Sequence, residues 1–489
     1  MISSATVKHR NLRSEIVIVG GGGAGLAAAV SAKEKGADVI LLEKRGVLGG
    51  NSALATGLFA AESPVQRRLM IDARRDDLFK MAMNFAHWRI EPRIVRAFID
   101  KSGDTIRWLE ERGVGVDQIR PQYPNQVPGV WHVVEGWGAR LIKVLAKTYK
   151  DLGGKILSGS AGKKILTGPK GDVKGVLGIA KGREFKITAN SAIIATGGYG
   201  GNKHLLKRYC PDYHENMYLE GLPTMGDGLL MATEIGAATE GLGILQLFGP
   251  VFPKSRLLWA VAREPSTLWV NRKGKRFADE SVTFYMGEAG NVIYRQPDKL
   301  SYTLFDAKTK QLMIEQGMIK GLGPHYTPQK SKLLELEKEL QQEADKGEVG
   351  ISNSWEKIAE WIGADCGDLK ATIGEYNAAS EQGHDPIFAK DRRYLLPLRT
   401  PPYYAIRTRA GFHGTIGGIK INEHMQVIDI QDKPIPGLYA AGIDTGGWES
   451  ETYCVVLAGS TFGFALNSGR IAGENAVQFV RGNDPKKIT

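Results

Sequence analysis

The feature that most constrains this 489-residue chain is a glycine series, Gly20, Gly22 and Gly25, spaced G-x-G-x-x-G between two apolar stretches. Residues 15–19, EIVIV, read as a short parallel strand buried on both faces. LAAAVSAKEKG reads as an alanine-rich helix with Gly36 as its C-terminal cap. ADVILLEK, residues 37–44, is the next buried strand, and the three pieces make a βαβ unit of about thirty residues. The glycines allow a tight turn, close approach of backbone to a pyrophosphate, and close helix–strand packing, while the helix N-terminus attracts the phosphate charge. Gly23 and Ala24 complete the turn. A lone G-x-G-x-x-G is weak evidence, but here Glu43 ends the second strand, where an acid accepts hydrogen bonds from ribose hydroxyls. The combination points to a bound dinucleotide.

The residues after Glu43 separate NAD from FAD. EKRGVLGGNSALATG brings Lys44, Gly49, Gly50, Asn51, Ser52, Thr56 and Gly57 directly after the acid, a second set of backbone donors and small side chains. IIATGG is a third glycine-ended strand, carrying Ala195, Thr196 and Gly197, and GLYAAGID is a fourth. An extended FAD laid across a sheet needs such repeated contacts, and NAD on a plain Rossmann unit does not. Ser460 and Thr461, at the head of a closing helix over 459–480, are further candidate contacts.

Between these segments the rhythm changes. Residues 65–150 are mostly helical in pattern, with DTIRWLEERG and ARLIKVLAKTYKDLGG the clearest amphipathic pieces. Residues 155–190 alternate with period two, as a small meander does. Residues 240–400 lose the βα order and hold SKLLELEKELQQEADKGE, read as a helix with a solvated face. The expected organisation is an FAD-binding domain over 1–240, a capping substrate domain over 241–400, and the rest of the FAD domain over 401–489.

Composition removes several alternatives. The net charge of +11 is spread along the chain and no aromatic–basic module accompanies it, which argues against nucleic acid as a partner. Cys210, Cys366 and Cys454 are far apart and form no CxxC, so neither a disulfide scaffold nor a metal or iron–sulfur centre is expected. No apolar run approaches the length of a membrane span. The polar opening MISSATVKHRNLRS does not read as a secretory signal, and the cytoplasm is the expected location.

Taken in order, VGGGGAGLAAA, LLEKRGVLGGNSALATG, IIATGGYGGN, PTMGDGLLMA, VNRKGKRFADE, FHGTIGG and PGLYAAGIDTGG span nearly the whole chain. They resemble the FAD-dependent fumarate reductase and succinate dehydrogenase flavoproteins, with 3-ketosteroid dehydrogenases as relatives. The resemblance implies an α/β fold: a Rossmann-like FAD-binding domain of the glutathione-reductase type, interrupted by an α+β capping domain, with the active site at the flavin between them. It makes Asp227 and Asp444 FAD ligands, Asp444 standing where fumarate reductases usually carry glutamate. It places Ala53 where some members attach FAD through histidine, which implies a noncovalent flavin.

At the substrate side the match is broken. His413 falls on a substrate-binding histidine of the family. Phe248 stands at the position of the other histidine, and Val456 at that of the carboxylate-clamping arginine. Lys310 aligns near the proton-delivering arginine. Arg263 matches an arginine of the proton pathway, while its accompanying glutamate is Ala260. Losing a buried bidentate arginine removes roughly 2–4 kcal/mol of carboxylate binding. Phe248, Trp448 and Val456 instead imply an apolar, aromatic-rimmed pocket suited to a neutral ring compound: a cyclic ketone, enone, steroid-like or phenolic molecule. Tyr453, two residues out of register with a site tyrosine of the ketosteroid dehydrogenases, is a candidate to polarise a carbonyl or carry a proton. His413, Lys310, Arg263 and Tyr453 are thus the candidate catalytic groups for chemistry on a CH–CH bond beside an activating group. No second G-x-G-x-x-G marks an NAD(P)H site, which leaves an electron-transfer partner protein (a flavoprotein or an external haem protein), a quinone or an artificial donor to serve the flavin. Three other readings stay open: a reductase of fumarate-type unsaturated acids, a flavin enzyme without net redox change such as an isomerase or hydratase, and a subunit completed by a partner.

Overall fold

A computed structural model describes residues 11–120, 128–322, 327–453 and 457–482. It divides the chain into two compact units. The first holds residues 1–211, 221–245 and 414–489; the second holds 212–220 and 246–413. The sequence pattern sets the second domain at 241–400, whereas the structural unit ends at 413 and adds the nine-residue excursion 212–220. That excursion belongs there because Tyr218 and Leu219 pair in parallel with Gly411 and Phe412. A two-residue strand finding a partner so distant leaves no local mark in a sequence.

The first unit is built on a six-stranded sheet. Its order is Gln426–Ile428, Pro434–Ala440, Ser191–Ile194, Ile16–Val19, Val39–Glu43 and Lys155–Ser158. Ile16–Val19 runs parallel to both its neighbours and is wholly buried, as its unbroken Ile/Val run requires. The helix Gly23–Glu34 comes directly after it, and Gly36 takes the left-handed conformation (φ +80°) just past its end. Its partner is the closing helix Ser460–Gly482. A Cβ on Gly469 would stand 2.2 Å from the Ala24 carbonyl oxygen, and one on Gly473 2.4 Å from that of Ala28. Small residues four apart on both helices let the two backbones touch.

The meander is present as Ser160–Thr167, Val173–Ala180 and Arg183–Thr188, paired antiparallel. Within the stretch read as helical, Pro92–Glu110 and Trp137–Asp151 are helices, but Val116–Arg120 and Trp131–Val134 are strands. They form a three-stranded sheet with Gly57–Phe59. Gly57 is required there: a Cβ would lie 2.4 Å from the His132 carbonyl oxygen.

The second unit has a sheet ordered Tyr218–Leu219, Tyr403–Ile419, Leu300–Asp306 and Leu268–Val270, with Val349–Ser352 also along the second strand. One apolar core gathers Phe248, Trp259, Phe305 and Tyr404, and another gathers Leu268, Tyr302, Ile358, Ile373 and Tyr376. The charged helix runs Leu336–Ala344 and buries Leu336, Leu340 and Glu343. Beneath the second core lies an ionic cluster. Glu280 accepts two bonds from Arg276, both at 2.9 Å, and one from Lys390 at 2.9 Å, while Arg276 reaches Asp385 at 2.7 Å. Lys390 and Glu280 side chains are fully buried. Among the described residues no helix is long and apolar enough to cross a membrane, and no group of His, Cys, Asp or Glu is arranged to hold a metal.

Candidate active site

The glycine turn is formed by backbone that no other residue type fits. Gly20 has φ +116°, and a Cβ there would lie 2.1 Å from the Ala195 carbonyl oxygen. A Cβ on Gly25 would lie 1.8 Å from the Gly20 carbonyl oxygen. At Gly22, by contrast, a Cβ meets only the Gly49 oxygen, at 3.8 Å, so its glycine keeps space open rather than relieving contact within the protein. The helix Gly23–Glu34 has neither a side-chain cap nor an acid in its first turn. Its dipole and the amides beyond Gly23 are positioned to favour an external anion such as the pyrophosphate of a dinucleotide. Ser52 accepts from the Gly23 amide at 3.1 Å.

Glu43 is nearly buried at the end of its strand, where Oε2 accepts from the Gly21 amide at 2.8 Å and Oε1 from the Arg45 amide at 2.7 Å. One acid therefore ties the first turn to the second loop. Gly49 (φ +118°) and Gly50 (φ +51°) bend that loop back, and the Gly49 amide donates to the Gly21 carbonyl at 2.8 Å. Asn51 makes a reciprocal pair with the Leu222 backbone, at 2.7 and 3.1 Å. Lys44 reaches Asp227 at 2.6 Å, at the head of the helix Asp227–Glu234. The Thr56 carbonyl accepts from the Val134 amide at 3.1 Å.

Asp444 is fully buried against the third glycine-ended strand. It accepts from the Gly197 amide at 2.8 Å and from the Thr196 hydroxyl at 3.1 Å, and Thr196 accepts in turn from the Gly228 amide at 2.8 Å. The oxygens expected to face FAD thus have protein donors of their own. Burial pushes the Asp444 carboxyl up to about 7, against the pull of these bonds. The folded chain then takes up a proton that the unfolded chain, with an ordinary carboxyl near ~3.9, has released. The contribution of Asp444 to apoprotein stability is expected to fall as pH rises from about 4 to about 7 and to level off above that. Asp444→Asn should flatten this decline, measured as urea midpoints across the window; an unaltered slope would assign it elsewhere.

The other sequence candidates lie in different surroundings. Ser460 opens the closing helix and its hydroxyl donates to the buried Tyr453 hydroxyl at 3.5 Å; Thr461 is the next residue. Trp448 is buried and stacks flat on Phe464, centroids 4.1 Å apart, with its indole N–H donating to the Thr445 carbonyl at 3.1 Å. Val456 lies outside the described residues.

In the second unit, Phe248 and His413 come together. Their rings stack at 4.2 Å and 12°, and the Trp259 ring lies 6.0 Å from that of Phe248, tilted by 30°. Glu220, which no sequence signal marked, pairs with His413 Nδ1 at 3.2 Å. Burial raises the Glu220 carboxyl, but the bond from His413 and the charges of Arg263 and Arg256 outweigh it, leaving the group below the usual carboxylate range. Arg263 caps the helix Arg256–Ala262 and is almost buried. Next to it, burial lifts Glu264 to about 7 although Ile319 and Lys320 amides donate to it. Burial, with Arg263 nearby, holds Lys320 well below the ordinary lysine range. Lys310 has partners of its own: its ammonium bonds Tyr404 at 2.8 Å and Glu337. Burial opposes its charge, but those two partners raise it above the ordinary value.

The glycine cradle, the uncapped helix end and the twice-bonded Glu43 fit a dinucleotide, and the comparisons with known proteins say which. Residues 15–451 match the model of the FAD binding domain. The chain belongs to the FAD-dependent fumarate reductase family of flavoproteins. It is 31% identical over 481 residues to a vinyl phenol reductase of Lactiplantibacillus plantarum, covering 95% of this chain and 96% of that protein. A probable fumarate reductase of Shewanella frigidimarina is 30% identical, over 95% of this chain and 75% of the other. Among solved structures, the open form of a flavocytochrome c3 fumarate reductase superposes with a TM-score of 0.73 at 27% identity, covering 96% of this chain and 79% of that one. A 3-ketosteroid Δ1-dehydrogenase from Sterolibacterium denitrificans shares the fold, with a TM-score of 0.78 at 18% identity over 96% of this chain and all of that one. This family member is therefore an FAD-dependent oxidoreductase with an α/β FAD-binding fold.

Proposed function

We propose that this flavoprotein reduces or forms a C=C bond beside an activating group in a neutral, ring-bearing substrate, a phenolic or enone compound being the best fit. The observation that carries this reading is the Phe248–His413 stack, an aromatic face backed by Trp259. Where the family resemblance calls for a second carboxylate-binding imidazole, this chain presents a buried phenyl ring, against which a dianion would lose its hydration without a compensating charge. The vinyl phenol reductase, similar along almost the whole of both chains, is named for a substrate of this kind.

Bound FAD supplies the hydride in the reducing direction and takes it up in the oxidising one. The protein's own part is to hold the cofactor and to manage the proton. Gly20, Gly22 and Gly25 with the open end of Gly23–Glu34 would hold the pyrophosphate, and Glu43 the ribose. Ala53 offers no side chain for a covalent link, so the flavin is held noncovalently. His413 carries a proton at Nε2, which has no hydrogen-bond partner among the described residues, while Nδ1 is engaged by Glu220. Arg263 and Arg256 contribute positive charge in the same unit, where enolate or phenolate character is stabilised. Electrons reach the flavin from a partner protein or small carrier.

The test is anaerobic photoreduction of the holoprotein, then addition of 4-vinylphenol, 2-cyclohexenone or fumarate. Flavin absorbance should return with one of the ring compounds and not with fumarate. Faster return with fumarate would overturn the reading, and turnover of a ring substrate with no electron donor or acceptor would replace it with an isomerase.

A further inference from the structure

We propose that Glu220 is the positioning residue for His413: its carboxylate fixes the proton on Nδ1 and so makes Nε2 the proton-carrying nitrogen turned to substrate. The inference rests on the proton-carrying role of His413, and it assigns a residue outside every family segment of the sequence.

Backbone register builds the pair. Tyr218 is aligned with Gly411 and Leu219 with Phe412 in a parallel ladder, and the Glu220 amide donates to the Phe412 carbonyl at 3.0 Å. The next residue along each strand is Glu220 on one and His413 on the other, so the two side chains start side by side. Their polar atoms meet at 3.2 Å, Glu220 Oε2 to His413 Nδ1. Phe248 covers one face of the imidazole at 4.2 Å and nearly parallel, which fixes the ring plane. With the plane held and Nδ1 occupied, the remaining freedom of the ring is small.

Charge then sets the tautomer. An ionised carboxylate accepts hydrogen bonds and cannot donate them. Glu220 stays ionised because the His413 bond and the cations Arg263 and Arg256 outweigh its burial. The proton shared with it must therefore sit on Nδ1 of the histidine, and Nε2 is the atom that gains and loses a proton. In the reducing direction Nε2–H passes its proton to substrate, leaving a neutral ring still bonded to Glu220. In the oxidising direction Nε2 takes the proton back.

The experiment compares Glu220→Gln and Glu220→Asp holoproteins with wild type, using 4-vinylphenol. For Glu220→Gln, kcat should fall ~10–100-fold, the share of a general acid–base group held in the wrong tautomer. The limb of its pH–rate profile should also move to lower pH, because the neutral amide no longer supports the imidazolium. Glu220→Asp should recover a substantial part of both. Flavin content and thermal transition should remain those of wild type. A Glu220→Gln enzyme with wild-type kcat and pH profile overturns the proposal. So do equal losses in both variants with an unmoved pH profile, which mark a purely structural carboxylate. A second readout needs no substrate: in 15N-histidine-labelled holoprotein, the resonance missing from His413→Asn should show the Nδ1–H tautomer in wild type and lose that preference in Glu220→Gln. If the tautomer behaves so but 4-vinylphenol leaves the flavin reduced, the substrate reading fails and the positioning role stands. If the resonance shows no Nδ1–H preference, the positioning role fails whatever the substrate.

Discussion

Gly25→Ala is expected to leave the protein with less than about a tenth of its flavin under conditions that saturate wild type. The added methyl would stand 1.8 Å from the Gly20 carbonyl oxygen and 3.0 Å from its carbon, and both are backbone atoms that no side-chain rotation can move. Relieving such an overlap means parting the helix Gly23–Glu34 from the turn before it, a strain of ~1–3 kcal/mol or more. Each 1.4 kcal/mol charged to the bound state is about tenfold in affinity. Gly22→Ala separates two causes that this variant combines. Its backbone (φ −78°) suits alanine and its Cβ meets nothing closer than 3.8 Å in the protein. The apoprotein carrying it should therefore unfold like wild type, yet bind FAD more weakly, because the added methyl enters space that the glycine cradle keeps open for cofactor. Equilibrium titration with FAD and urea unfolding of the flavin-free proteins check both statements. Normal flavin content in Gly25→Ala would mean that the turn is soft, against the geometry described.

Lys390→Met should lower stability by ~3–5 kcal/mol, the usual cost of removing one member of a buried ionic cluster. The Lys390 ammonium has three polar partners: Glu280 at 2.9 Å, the Thr267 carbonyl at 2.9 Å and the Tyr376 hydroxyl at 3.2 Å. Burial disfavours its charge, but Glu280 nearby raises its affinity for the proton above the ordinary lysine value. Methionine fills similar volume and removes the charge, so Glu280, itself completely buried, is left with the Trp269 amide at 3.1 Å and, as charged partner, Arg276, which Asp385 also engages. For a unit of this size the loss corresponds to ~6–20 °C in the first calorimetric transition. Adding Glu280→Gln to Lys390→Met should recover part of the loss, since the uncompensated charge goes with it. If Lys390→Met melts within about 1 kcal/mol of wild type, water or a rearranged Arg276 must satisfy Glu280, and the network is less rigid than it looks.

The cofactor side of this protein was legible because its determinants are local. Glycines at fixed spacing, an acid at a strand end and apolar strands all lie within short windows, and each carries a steric reason for its residue type. Gly20 and Gly25 have backbone oxygens where a side chain would go, and Glu43 joins two loops that are neighbours along the chain. The substrate side was less legible because its partners meet through pairings of long range. Glu220 is brought to His413 by a two-residue strand that pairs nearly two hundred residues away. Trp448 reads as a pocket wall from its neighbours in sequence, and in the fold it lies flat on Phe464 in the interior of the first unit. Lys310 aligns near a proton donor and sits instead between Tyr404 and Glu337, partners that keep it charged. Of the strands hidden in a helical stretch, Trp131–Val134 depends likewise on Gly57–Phe59 for hydrogen bonds, and Val116–Arg120 pairs in turn with Trp131–Val134.

The contact of Gly469 and Gly473 with Ala24 and Ala28 also sets a timetable on the ribosome. The helix Gly23–Glu34 is made first, and the helix that covers it follows about 440 residues later. At ~5–20 residues per second the wait is on the order of 20–90 s. The strand Pro434–Ala440, which flanks Ser191–Ile194 in the same sheet, is nearly as late. Through that interval the early βαβ segment has neither its covering helix nor one edge of its sheet, and its apolar surface must be shielded by chaperones or by the nascent chain itself. Flavin loading is then expected to wait until Ser460–Gly482 has been made and packed, so that FAD present earlier in synthesis finds an incomplete cradle.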